Sequence, residues 1–268
     1  MQPLSLSEIK NIELNILIFL DRICKENGLR YYLCGGTLLG AVRHQGFIPW
    51  DDDIDVSMPR PDYDKLLDLL SDNTEYSILA PMDKGYYYNF AKLVDSNTQL
   101  IEYGYNSISN MGIYIDIFPL EGMPDNDQTR RQHCAKLLKV RKQINSYSYT
   151  APKLRKNIFA YLRTCYLYFR NKLISLDYWQ KKYLQIASKY SYEKSQYVFA
   201  SGGAYKTKDI FPKAFFSKGV NLQFENQSFT CPTEYSAYLT HLYGNYMQLP
   251  PEDKRVSHHV FCAYYKEQ

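Results

Sequence analysis

Four aspartates fall within five residues of the run Trp50-Asp51-Asp52-Asp53-Ile54-Asp55-Val56. In an extended chain successive side chains point to opposite faces. Asp53 and Asp55 then share one face, Asp51 can join them, and Ile54 and Val56 turn toward a core. Carboxylates so close repel one another unless a cation lies between them. Mg²⁺ is the expected ion, because it takes hard oxygen ligands and keeps positions open for phosphate oxygens; Mn²⁺ is the alternative. The competing reading is an acidic turn in water. Two features count against it: the run leads straight into an apolar strand, and it follows Gly35-Gly36-Thr37.

A second carboxylate interrupts Gly112-Ile113-Tyr114-Ile115-Asp116-Ile117-Phe118-Pro119. The run is otherwise apolar, and burying a lone carboxylate is costly. Asp116 must therefore meet a metal, a cation or strong donors, which makes it the candidate third metal ligand. Asp53, Asp55 and Asp116 are the candidate catalytic set, with Asp51 as a further ligand. Gly35, Gly36 and Thr37 lie between a strand and a helix, where glycine lets the backbone approach a phosphate and the helix N-terminus favours anions.

The elements that must position these residues alternate along the chain. Ser7 to Asn27 predicts a helix, with Ser7 as its cap, apolar residues from Ile9 to Ile23 at helical spacing, and Gly28 as the stop. Strands are expected at 31–34, 54–58, 76–79, 87–94, 99–102, 112–118, 222–224 and 229–231. Short helices are expected at 37–43, 62–70 and 233–242. Such alternation predicts an α/β chain of the α+β kind, a mixed sheet carrying helices. Between Gln128 and Leu176 stand twelve Lys and Arg and no acidic residue. Lys156, Arg163 and Arg170 recur on one helical face, with Ile158, Leu162, Cys165 and Phe169 opposite. Three sections follow: a catalytic core over 1–127, a basic helical insertion over 128–195, and a part completing the core over 196–268.

The bulk numbers exclude some classes. A net charge of +4 over 268 residues gives no support to a nucleic-acid partner. The six cysteines show neither a C-x-x-C pair nor zinc spacing. The N-terminal residues lack a basic leader and no apolar run is long enough for a membrane span, so a cytoplasmic protein is expected. The 27 tyrosines suit core packing and, in part, a surface for sugars or organic cations.

Strand, Gly-Gly, helix, then Asp-Ile-Asp and a lone Asp on further strands, resembles the nucleotidyltransferase superfamily. The longer run from Gly36 to Val56, the segment Ile115–Leu120, and the tail from Tyr243 through Arg255 to His258 and His259 resemble the LicD family. That family includes bacterial phosphorylcholine transferases that use CDP-choline to decorate teichoic acid or lipopolysaccharide, with ribitol phosphate transferases as more distant relatives. The resemblance implies a nucleotidyltransferase-like fold, a magnesium-dependent phosphotransferase, a CDP-activated donor with CDP-choline favoured, and a lipid-linked glycan acceptor. It gives Arg43 and His44 a place at the leaving phosphate and returns His258 and His259 to the active site. The family's Arg-Asp pair after the sheet lysine is replaced by Lys92-Leu93-Val94-Asp95, so a phosphate role there falls on Lys92. A choline head would need aromatic faces, for which Trp50, Tyr86–Tyr88 and the Tyr103/Tyr105 pair are candidates. The basic helix suggests either peripheral contact with an anionic membrane at the inner face of the plasma membrane or a grip on acceptor phosphates. A helix packed on the core with a solvated basic face is the plain alternative. Other chemistries open to the scaffold are nucleotidyl transfer and non-catalytic nucleotide or glycan binding.

Overall fold

The computed structural model describes residues 2–150, 157–256 and 261–267. The first helix, α1 (Leu6–Asn27), is capped by Ser5 rather than Ser7. Glu8, three residues on, returns its carboxylate to the Ser5 backbone at 2.8 Å and closes a capping box that Ser7 cannot form. The helix stops at Gly28, whose φ of 63° is left-handed. Its buried stripe of Ile9, Ile12, Ile16 and Leu20 packs on the sheet.

The other helices are α2 (Gly35–His44), α3 (Arg60–Leu70), α4 (Asp127–Asn145), α5 (Ile158–Leu173), α6 (Leu176–Ala187) and α7 (Tyr235–Tyr243). The strands are β1 (Tyr32–Leu33), β2 (Asp55–Pro59), β3 (Tyr76–Leu79), β4 (Ala91–Asp95), β5 (Thr98–Glu102), β6 (Tyr114–Met123), β7 (Tyr197–Ala200), β8 (Ile210–Pro212), β9 (Val220–Phe224), β10 (Gln227–Cys231) and β11 (Phe261–Tyr265). The main sheet runs β1-β2-β6-β4-β3, with β7 on β6 and β8 on β7. Only β2 and β6 are parallel; the other pairs in this sheet are antiparallel. The result is a mixed sheet flanked by helices, as the alternation predicts. Two small sheets, β9–β10 and β5–β11, stand beside it.

Several bounds move, each for a local reason. β6 runs on through Pro119 to Met123. Proline withholds one donor, but its carbonyl accepts from Ser201 N at 2.9 Å, and the flanking apolar side chains are buried, so pairing continues. Tyr87–Phe90 do not join β4. Their rings pack together, and the phenols of Tyr86 and Tyr87 donate to the carbonyls of Phe90 and Asn106 at 2.9 and 2.7 Å. Strand β2 begins at Asp55, so Asp53 lies in the segment entering it.

Helices α4 and α6 pack on each other and, through Leu137, Ile144 and Tyr183, on Met123 of β6 and Phe199 of β7. Helix α5 buries no residue. It is held at one end, where Arg170 donates to Ser146 Oγ at 2.8 Å and Asn171 Nδ2 to the Ser146 carbonyl at 3.0 Å. Arg170 is thus an anchor rather than part of a solvated face. The apolar side chains face outward: Phe159 is 80% exposed and Leu173 87%, with Leu162, Tyr166 and Phe169 between them. This reverses the packed-helix alternative. Lys156 lies outside the described residues. Among the described residues, no helix is long and apolar enough to cross a membrane.

Candidate active site

Register brings the key side chains together. Parallel pairing of β2 with β6 sets Asp55 opposite Asp116, and antiparallel pairing of β4 with β6 sets Lys92 opposite the same Asp116. Asp55, Asp116 and Lys92 therefore occupy one rung across three neighbouring strands, where facing side chains are close enough to interact. Lys92 is only 2% exposed, and its ammonium donates to Asp116 Oδ1 at 2.6 Å. A buried lysine so placed is tied to Asp116 rather than to solvent.

The strand–helix junction packs against this rung. Gly35 is the first residue of α2 and has a φ of 54°; a Cβ there would meet Asp55 Oδ2 at 2.9 Å. A Cβ on Gly36 would meet Asp51 Oδ2 at 2.4 Å. No other residue fits either position without displacing a carboxylate. The carboxylates of Asp51 and Asp55 thus lie against the first turn of α2, whose partial positive charge favours them. Thr37 is buried, and its hydroxyl accepts from the Asp55 backbone N–H at 2.8 Å. Its observed work is to fix the strand that carries Asp55.

Asp51, Asp53, Asp55 and Asp116 all line one cleft of about 520 Å³, with Gly35, Gly36 and Trp50. Burial, then the charges of Asp53, Asp116 and Asp51, push the Asp55 carboxyl well above the ordinary carboxylate range; Lys92 offsets this only in part. Among the described residues, the carboxylate oxygens that lie within 4.8 Å of one another are those of Asp51, Asp52 and Asp53, a group that includes Asp52 and not the expected Asp55 and Asp116. A donor set made only of carboxylates has the chemistry for a small hard divalent cation such as Mg²⁺ or Mn²⁺.

The remaining candidates fall elsewhere. Arg43 donates to the Tyr246 carbonyl at 2.9 Å, and its guanidinium is lowered by burial and by Arg255. His44 stands edge-on to Trp50, with ring centroids 6.2 Å apart, and is lowered by burial and by Arg43. Neither lines the cleft. Arg255 lies over the other Trp50 contact, 5.6 Å from its ring, so the tail does return to the α2 end. Lys92 lines an adjoining cavity instead. His258 and His259 lie outside the described residues.

Three features, two of them in the cleft, escaped the sequence reading. Asp209 is buried and pushed up to about 7, chiefly by burial. Gly202 has a φ of 113°, and a Cβ there would meet the Phe90 and Phe118 rings at 2.5 and 2.7 Å. The Gly202-Gly203 pair after an apolar run was the available signal. Glu13 of α1 is buried and is driven well above its usual range by burial and then by the charges of Asp53 and Asp52. Nothing in an amphipathic helix pattern marks it out.

Comparison with known proteins places the chain in a family. The LicD/FKTN/FKRP nucleotidyltransferase domain matches residues 28–153. The lipopolysaccharide cholinephosphotransferase LicD of Haemophilus influenzae is 32% identical over 273 residues, covering 98% of this chain and 99% of that protein. A shorter match of 58% identity over 31 residues, 12% of this chain and 6% of the relative, links it to the human ribitol 5-phosphate transferase FKRP. An uncharacterised protein of Rickettsia prowazekii is 38% identical over 61 residues, 23% of each chain.

Proposed function

The chain belongs to the LicD family, and from that premise we propose that it is a magnesium-dependent phosphotransferase moving phosphorylcholine from CDP-choline to a sugar hydroxyl of a surface glycan such as lipopolysaccharide or teichoic acid. The observation that carries the reading is the rung of Asp55, Asp116 and Lys92 beside the acidic run. It joins a site for a divalent cation to a single carboxylate already fixed by a buried lysine.

Bound at Asp51, Asp53, Asp55 and Asp116, Mg²⁺ would neutralise the donor pyrophosphate and the charge that develops on its leaving oxygen. The chain's own residues do the positioning. Gly35 and Gly36 keep the first turn of α2 clear of side chains beside those carboxylates. Thr37 holds β2 in place. Asp116 orients the acceptor hydroxyl and takes its proton as the acceptor oxygen bonds to phosphorus and the bond to CMP breaks. Lys92 fixes the position of the Asp116 carboxyl group for that task. Catalysis on this scheme is mainly alignment and charge neutralisation.

The acceptor's lipid carrier gives α5 a role. Its outward row of Phe159, Leu162, Tyr166, Phe169 and Leu173, with Arg163 and Lys172 alongside, suits the interface of an anionic membrane. The 1–127, 128–195 and 196–268 sections then divide the work into catalysis, surface docking and completion of the core.

Phosphorus NMR tests the central reading. Purified protein, Mg²⁺, an acceptor glycan and either CDP-choline or CDP-ribitol are incubated, with the Asp53→Asn, Asp55→Asn double variant as control. CMP release from CDP-choline that needs both metal and the aspartates is the expected result. Release from CDP-ribitol alone would move the chain to ribitol phosphate chemistry. Incorporation of the nucleotide itself would mark a nucleotidyltransferase. Failure of every CDP donor to react or bind would end the proposal.

A further inference from the structure

On the far side of the Lys92–Asp116 pair lies a second cavity of about 310 Å³, within the size range of roughly 300–1,000 Å³ usual for small-molecule sites. Asp116 belongs to the walls of both cavities. The second is walled by Tyr87, Tyr88, Tyr105 and Tyr114, with Glu102 among them. The basic insertion closes it: Asn145 and Ser148 line it, and Asn106 binds the insertion through Nδ2 to the carbonyls of Tyr147 and Tyr149 at 2.7 and 3.0 Å.

This lining has the chemistry of a site for a cation that cannot donate hydrogen bonds. Aromatic faces attract positive charge, and more strongly where water is excluded. Tyr87 and Tyr114 are buried and Tyr88 is partly so. The rings already hold one cation: Lys92 Nζ sits 3.4 Å from the centre of Tyr114 and 4.7 Å from that of Tyr88. Lys92 and Asp116 offset each other's charge, which leaves Glu102 as the net charge of the cavity. Glu102 accepts from the Tyr88 hydroxyl at 3.5 Å and belongs to the same wall. One negative charge among four aromatic rings matches a single quaternary ammonium. A neutral polyol lacks the charge that Glu102 and the ring faces attract.

We propose that the cavity of Tyr87, Tyr88, Tyr105, Tyr114 and Glu102 is the specificity pocket for a quaternary ammonium head on the transferred phosphate. The inference rests on the phosphotransferase reading above, since Asp116 puts the head-group pocket next to the reacting phosphorus. It also narrows the aromatic candidates: Trp50 lines the metal cleft, while Tyr87, Tyr88 and Tyr105 line the head-group pocket.

Calorimetric titration with Mg²⁺ present tests it on the full chain. The ligands are CDP-choline, its neutral isostere carrying a tert-butyl group in place of trimethylammonium, and CMP. Wild type is expected to bind CDP-choline about tenfold or more tighter than the isostere. Glu102→Gln and Tyr105→Leu, both at accessible positions, should each reduce that preference severalfold while CMP affinity stays constant. Tyr88→Phe, which keeps the ring, should retain it. Equal affinity of wild type for the two donors would overturn the pocket, as would an undiminished preference in both variants. Either result would leave the phosphotransferase reading standing if CMP still bound. Failure of wild type to bind CMP at all would instead remove that reading and the pocket with it.

Discussion

Asp55 and Arg163 carry opposite charges in opposite settings. Asp55 lies in a cleft at the centre of the sheet, fixed by register and by Thr37, with Asp51, Asp53 and Asp116 converging on it. Arg163 lies on α5, a helix that buries nothing and stands beside an outward row of apolar rings. Negative charge is concentrated where the fold makes ionisation expensive; positive charge is dispersed where water already solvates it. On the proposed reading, the concentrated carboxylates would take a small hard cation and the phosphates it carries, and the dispersed cations beside exposed phenyl and leucyl groups would meet an extended anionic surface. Chemistry and docking would then reside in regions with different demands on rigidity, and substitutions should separate them.

The largest separation is expected from Asp55→Asn. Metal-dependent CMP release should fall by about 10³-fold or more, because the cation site and its charge neutralisation are lost together. The metal-free melting temperature should hold or rise, since the variant removes a carboxyl that burial and its neighbours disfavour as an ion. A coupled CMP assay and a thermal melt decide this; retained turnover would mean that the rung is scaffolding.

Glu121→Gln is the converse, a loss of stability toward the far end of the neighbouring strand β6. Glu121 is buried and ion-paired with Arg60, whose guanidinium burial would lower but the Glu121 charge holds raised. Arg60 keeps its second partner, Asp64 at 3.0 Å, so the loss of the buried one should cost about 1–3 kcal/mol in denaturant unfolding. A loss below about 1 kcal/mol, the scale of an exposed pair, would refute the assignment of a buried charge pair.

Asp209→Asn sharpens the electrostatic side. Burial raises the Asp209 carboxyl from its usual acidic range to about 7. A raised folded-state value means that the group's stabilising contribution is complete below about pH 4 and is lost as pH climbs through about 7. Wild type should therefore lose about 2–4 kcal/mol relative to the variant between pH 4 and pH 8. Parallel pH–stability curves for the two proteins would contradict this.

The sheet was legible where apolar runs were broken by single acids. Ile113 to Phe118 marks β6 because Asp116 alone interrupts it, and Ile54 to Met58 marks β2. The face shared by Asp55 and Asp116 depends on strand register, which no local pattern contains. The pairing of Lys92 with Asp116 depends on it too, so a lysine read as a phosphate ligand is found tied to a carboxylate. Tyr114 went unread as a binding residue, because a tyrosine inside a buried strand looks like packing until the cavity beside it is known. Strands β7 and β8 were missed although Tyr197-Val198-Phe199-Ala200 has strong strand character. For α5 the period was legible and the direction was left open. Helical spacing identifies two faces but not which one meets the protein, and here a hydrogen-bonded arginine, not the apolar row, makes the contact.

The outward row carries the smallest expected effect. The double variant Phe159→Ser, Phe169→Ser should leave stability within about 0.5 kcal/mol of wild type, because both rings are exposed. CMP release with a water-soluble acceptor should likewise be unchanged. Binding to vesicles rich in anionic lipid should weaken roughly tenfold or more, since each ring would bury its area in the interface. Wild-type binding should also fall as salt is raised, because Arg163 and Lys172 lie outside the apolar row and their attraction is screened. If the variant sediments with vesicles as well as wild type does, the outward rings face something other than lipid, and the contrast between a catalytic centre and a membrane-docking arm fails. If it unfolds at lower temperature, the rings support the insertion itself, and the contrast fails from the other side.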